Sequence, residues 1–250
     1  MTHDDSDAAS ESPSRQGAGW KLLTTRDFGL LWSGQAVSQI GDSLNKVALL
    51  WFVYELTGSA LKMTLIGLLQ TIPPLLLGPL IGVYLDRLPQ KPVMIWIDLL
   101  RTVMVLLIPL LHALDALTLN RLYALVFLIA IFSTVFGPAL ASSVPLVVPR
   151  ARLIAANALL QTTTNIGVLV GPAISGVGIA LIGAEHVLYV NGATYLISAL
   201  CLMPIRVRKL TKPGAQPMSG HLLHEMLEGF RFVFIQQRLI LALMITAALY

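Results

Sequence analysis

The chain has 250 residues, of which 56% are apolar and 12% charged, and its formal net charge is +4 at pH 7. A water-soluble domain carries about twice that share of charge, so a soluble globule is excluded and most of the surface must meet lipid. The single cysteine, Cys201, excludes an intrachain disulfide framework.

Residues 1–27 read as a cytoplasmic N-terminal tail. Met1–Ser14 is polar, acidic and serine-rich, the composition of a disordered segment. No basic stretch precedes a short apolar core, so no cleaved signal peptide is expected. A helix crossing about 30 Å of hydrocarbon needs roughly 20 mostly apolar residues. Six segments meet that need and make a transmembrane bundle over 28–204: Phe28–Tyr54, Met63–Leu85, Val93–Leu114, Leu119–Val148, Leu153–Ile182 and Val187–Met203. The apolar runs are continuous, and the alternation of a barrel strand is missing. The predicted class is an all-α integral membrane protein.

The first span carries Gln35, Ser38, Gln39, Asp42, Asn45 and Lys46 at three- and four-residue intervals, which places them in one stripe. Polar groups at membrane depth are costly, so the stripe is expected to face a water-filled cavity or a partner helix. Gln35, Gln39, Asp42 and Lys46 are the cavity candidates. Asp42 and Lys46 stand one turn apart and are expected to pair. Asp42 is also the carboxylate placed to couple proton movement to substrate movement, with protonation and Lys46 pairing as its alternating states. The second span contains Pro73-Pro74, Gly78 and Gly82. The third holds Asp98 and Arg101, expected to pair while Arg101 snorkels toward the headgroups. Polarity in the fourth span is too weak to argue from.

The fifth span opens with Asn157, Gln161, Thr164 and Asn165 on one face and continues through Gly167, Gly171-Pro172 and Gly176. Glycines four residues apart open a groove through which a neighbouring helix approaches closely. Glycine- and proline-interrupted helices at matching places in two triplets of spans point to a transporter built from repeats. Beyond the sixth span, residues 205–238 read as a cytoplasmic linker. Within it His221–Phe234 is amphipathic and suits a helix lying on the membrane surface. Residues 239–250 read as a truncated seventh span, since 12 residues reach only about 18 Å.

Basic residues settle the expected orientation. Thirteen of them lie before span one, between spans two and three, between four and five, or after span six. Lys62 and Arg121 alone occupy the other loops, so the positive-inside rule puts the N-terminus in the cytoplasm. The excess of basic charge therefore reports topology and calls for no nucleic acid. No P-loop, dinucleotide turn or catalytic triad pattern occurs. The stretch from His224 to Glu228 lacks the second histidine of a zinc protease. No enzymatic activity, cofactor or metal is expected.

Three stretches resemble the major facilitator superfamily, and within it the drug-exporter branch of macrolide-efflux and enterobactin-exporter type. Phe28-x-x-Leu31-Trp32-x-x-Gln35-x-x-Ser38-x-x-Gly41-Asp42 is similar to that branch's first helix. Gly82-Val83-Tyr84-Leu85-Asp86-Arg87-Leu88-Pro89-Gln90-Lys91 is similar to the loop between helices two and three. The run from Gly167 to Gly176 is similar to the antiporter motif of helix five, with Ser175 where a glycine is usual. The resemblance implies an N-terminal bundle of two three-helix inverted repeats plus the start of helix seven. A second six-helix bundle would complete the protein. It implies a gating motif at Gly82, Asp86, Arg87 and Lys91, and an intramembrane pair at Asp98 and Arg101. The implied function is export of hydrophobic or amphiphilic small molecules, driven by proton antiport across a bacterial-type plasma (inner) membrane. The alternatives are the membrane domain of an ATP-driven exporter and a non-transporting membrane scaffold.

Overall fold

The computed structural model describes residues 22–85 and 88–206. Asp86, Arg87, most of the N-terminal tail, the amphipathic helix of the linker and the seventh run fall outside the described residues. Six long helices follow one another: α1 Arg26–Thr57, α2 Ala60–Leu85, α3 Gln90–Ala113, α4 Leu119–Val147, α5 Leu153–Ile182 and α6 Ala184–Leu202. A 3-10 turn, Arg150–Arg152, leads into α5. Each helix matches the apolar run expected of it, although three runs pass the end of their helix by one residue, at Leu114, Val148 and Met203.

Local chemistry explains the ends. Gly58 closes α1 in the left-handed region at φ 61°, and its N–H donates to the Tyr54 carbonyl at 2.8 Å. That conformation suits glycine, which has no Cβ to clash. Thr118 caps α4 by accepting from the Arg121 N–H at 3.4 Å. The two glycine- and proline-rich spans are not interrupted. Helix α2 continues through Pro73-Pro74 and α5 through Gly171-Pro172. Lipid offers no hydrogen-bonding alternative to the backbone, so a broken turn would leave several groups unsatisfied, and helices there bend through proline rather than open.

Helix packing has an internal symmetry. The main contacts are α1 with α5, α2 with α4, α1 with α6, α3 with α4, and α3 with α6. Exchanging the first three helices for the last three maps α1–α5 onto α2–α4 and α1–α6 onto α3–α4, and leaves α3–α6 on itself. Two apolar layers form the interior. One gathers Leu49, Phe52, Val105, Ile108, Leu122 and Leu188; the other gathers Phe28, Leu31, Met94, Phe136, Ala139 and Leu202. Between them runs a polar layer made of Gln35, Ser38, Asp98, Arg101, Asn191, Thr194 and Ser198, all buried.

Helices α2 to α5 are long and apolar enough to cross a membrane by length and composition. Helices α1 and α6 have the length, but they supply most of the polar layer, which lowers their hydropathy. Their polar groups meet each other inside the bundle, so the outer surface stays apolar, with Trp51, Leu56, Leu196 and Leu200 exposed on it.

One contact pins the end of α6. The Lys91 Nζ donates to the carbonyls of Met203 at 2.7 Å and Ile205 at 2.8 Å. Those groups have no partner within the helix, and a cation there also meets the negative end of the helix dipole. Asp27 accepts from the Arg206 N–H nearby at 3.2 Å. Lys91→Met should cost about 1 kcal/mol and loosen the last turn of α6. Faster amide hydrogen exchange over 199–206 in Lys91→Met, with no change in Lys62→Met, is the expected result.

Candidate functional site

The polar stripe of α1 spreads over several surroundings. Gln35 and Ser38 are buried, and the Gln35 amide donates to the Gln39 side chain at 3.5 Å. Gln39, Asp42, Asn45 and Lys46 line a cavity of about 280 Å³ inside the bundle. Its second wall comes from Gln70 and Pro74 of α2, its third from Val126, Ile129, Ala130, Ser133 and Thr134 of α4, and Tyr195 of α6 closes it. The cavity therefore has a polar side on α1 and a largely apolar side on α4.

Asp42 does not pair with Lys46. Its carboxylate instead accepts from the Arg101 guanidinium and from the Tyr195 hydroxyl. Arg101 Nη2 also donates to the Tyr195 oxygen at 2.8 Å, and its Nη1 lies 3.5 Å from Asp98 Oδ1. The guanidinium carbon sits 3.9 Å from the centre of the Tyr195 ring and 5.7 Å from that of Phe136. Three helices thus converge on one cation. Arg101 and Asp98 come from one turn of α3, Asp42 from the middle of α1, Tyr195 from α6.

Arg101 does not snorkel. Only 1% of its side chain is exposed, because two carboxylates and a phenol draw it inward, and the planar fork can serve several acceptors at once. Asp98 is fully buried, and neither of its oxygens has a hydrogen-bond partner. The Asp42 side chain, at 27% exposure, is the member of the cluster that reaches the cavity as a charge.

Tyr195 carries no charge that would mark it out in an apolar span. A signal existed, since Asn191, Thr194, Tyr195 and Ser198 recur at helical spacing and form a stripe on α6 that matches the one on α1.

Two glycines of α5, Gly167 and Gly171, face α1. A Cβ at Gly171 would lie 2.1 Å from that of Ser43, and one at Gly167 would lie 2.9 Å from the Gln39 side chain. Ser175 donates from Oγ to the Leu44 carbonyl at 3.0 Å, and Trp32 donates from its ring nitrogen to Thr163 at 3.0 Å. Gly176 faces open space. Asn157, Gln161 and Asn165 are exposed on the bundle's outside, with Gln161 donating to Asn165 at 3.0 Å. That face of α5 lines no path within the described residues. Of the loop motif, Gly82 lies in the last turns of α2, Asp86 and Arg87 are outside the described residues, and Lys91 is engaged at the end of α6.

A family model described as transmembrane secretion effector matches residues 17–250. The chain is 27% identical over 231 residues to macrolide efflux protein A of Streptococcus pyogenes, covering 92% of this chain and 56% of that protein. It is 29% identical over 199 residues to the multidrug efflux pump Tap of Mycolicibacterium fortuitum, covering 78% of this chain and 49% of that one. It thus spans about half the length of the curated relatives it matches.

Proposed function

The chain belongs to the transmembrane secretion effector family of the major facilitator superfamily, and on that premise we propose that it forms the N-terminal bundle of a secondary active exporter of hydrophobic or amphiphilic small molecules. The relatives named as efflux proteins support this reading over an ATP-driven exporter or a scaffold. A second six-helix bundle would supply the other wall of the cavity. The two bundles would rock about their interface in the plasma (inner) membrane, with the N-terminus in the cytoplasm.

Proton antiport is the proposed energy source, and Asp42 is its proposed carrier. The observation that bears most weight is the placement of Asp42. It is bonded to Arg101 and Tyr195 on its buried side, yet it opens onto the cavity on the other. Protonation would cancel its attraction to the guanidinium and release it from Arg101. Deprotonation would restore the tie between α1, α3 and α6. A carboxylate with two such bonding states can link proton exchange to helix movement.

The test is transport by the complete protein in proteoliposomes under an imposed pH gradient. Wild type should move an amphiphilic dye uphill, and Asp42→Asn should lose uphill movement while still exchanging dye down its own gradient. Undiminished uphill export by Asp42→Asn would place coupling elsewhere. Absence of any export by wild type would remove the exporter reading.

A further inference from the structure

We infer that the cavity between α1, α2 and α4 recognises an anionic head group, a carboxylate or its equivalent, on an amphiphilic ligand. This rests on the exporter reading for the ligand's role but not for its binding.

The inference begins with the cation that the buried cluster leaves over. Lys46 lies one turn from Asp42, the usual geometry for mutual neutralisation. Asp42 is already held by Arg101 and Tyr195, and among the described residues Lys46 makes no ion pair and no hydrogen bond. It projects into a site whose titratable wall groups, among the described residues, are Asp42, Lys46 and Tyr195. The acid and the phenol are bonded to Arg101 and to each other. The free charge offered to a ligand is therefore positive.

Two amides reinforce the site. Asn45 is only 6% exposed and its side-chain oxygen has no partner, while the buried Gln70 Nε2 is an unpartnered donor on the facing helix. Buried polar groups without partners are uncommon, and these two belong to residues that line the cavity; a turn of each amide about its last bond would present it to a ligand. A head group bearing several oxygens would accept from Lys46 and Gln70 together. If it also carried a hydroxyl or N–H, it would donate to Asn45. Val126, Ile129 and Ala130 on α4 would then receive the apolar body. A cationic amphiphile would be repelled by Lys46 and would find its counter-charge, Asp42, already engaged.

The experiment compares three probes with one fluorophore: dansylglycine (anion), dansylglycinamide (neutral) and dansylcadaverine (cation). Each is titrated by fluorescence against the complete protein in phosphatidylcholine nanodiscs, with empty nanodiscs subtracted. Wild type should bind the anion about tenfold or more tighter than the amide, the range of a hydrogen bond to a charged group, and should bind the cation weakest. Lys46→Gln and Gln70→Leu should lose that preference, Lys46→Arg should keep it, and Lys62→Gln should match wild type. Competition by added phosphatidylglycerol would identify a lipid head group as the source of the same anion and would support the site. Equal binding of anion and amide by wild type, or a preference that survives Lys46→Gln, would overturn it. Dye export in proteoliposomes is scored separately. Export without anion preference sinks this inference alone, and anion preference without export sinks the exporter reading alone.

Discussion

Gly171→Ala will lower the melting temperature and the folded yield of the protein, although it adds one methyl group to a helix and raises intrinsic helix propensity. The added Cβ would lie 2.1 Å from the Cβ of Ser43, 2.7 Å from its Oγ and 3.4 Å from its Cα. No rotamer change relieves a contact between two Cβ atoms, so α1 and α5 must separate. Ser43 is also tied in place, donating to the Gln39 carbonyl at 3.0 Å. Separation would strain the Ser175 bond to the Leu44 carbonyl one turn further on. Overpacking of this kind costs about 1–3 kcal/mol. In a membrane, where close van der Waals contact drives helix association, little else compensates. The compensating variant is Ser43→Gly, which removes the offending atoms. The pair Gly171→Ala and Ser43→Gly should melt closer to wild type than Gly171→Ala alone. Gly176→Ala, with no atom within 4 Å of its added Cβ, should be neutral. Thermal melting followed by fluorescence-detected size exclusion in detergent measures all four. A Gly171→Ala protein that melts with wild type would mean that α5 does not pack on α1 in this way.

The contrast between Gly171 and Gly176 shows what a sequence can and cannot carry. Four-residue glycine spacing announces a groove, but which glycine touches a neighbour depends on the rotation of α5 about its axis, which spacing leaves open. The six helices themselves were plain in the chain, because lipid demands long apolar runs and punishes every exception. The exceptions were equally visible: Asp42, Lys46, Asp98 and Arg101 stand out against 56% apolar residues. Their pairing was only half legible. Asp98 and Arg101 are three apart, and local spacing brings them within 3.5 Å. Asp42 has a local candidate in Lys46, yet its partners are 59 and 153 residues away in sequence. A four-carbon stem that can reach water gains little by turning back to a carboxylate already held by a guanidinium. Tertiary packing chose the fixed fork of Arg101 over the flexible ammonium. The freed lysine, and with it the charge of the cavity, followed from that choice.

Arg101→Met should be the most damaging single change in the polar layer, at about 3–5 kcal/mol, the usual cost of stripping a buried charge of its partner. Methionine keeps the length and the apolar contacts with the Tyr195 and Phe136 rings but leaves Asp98, fully buried, with no cation. Asp42 loses its guanidinium too, although water in the cavity can reach it. Arg101→Lys should rescue little, because one ammonium cannot meet Asp42, Tyr195 and Asp98 with the geometry of the fork. The informative variants are those that remove acids. Asp98→Asn leaves Arg101 bonded to Asp42 and Tyr195 and replaces a buried carboxylate, neither of whose oxygens has a hydrogen-bond partner, by a neutral amide, so it should be neutral or stabilising. The double variant Asp98→Asn with Arg101→Met should then recover most of what Arg101→Met loses, since the acid left behind is the hydrated one. A double-mutant cycle on melting temperature reads this directly. If Asp98→Asn proved as harmful as Arg101→Met, the two charges would form one indispensable pair, and Asp42 would be a bystander to the bundle's stability rather than the acceptor that already satisfies its arginine.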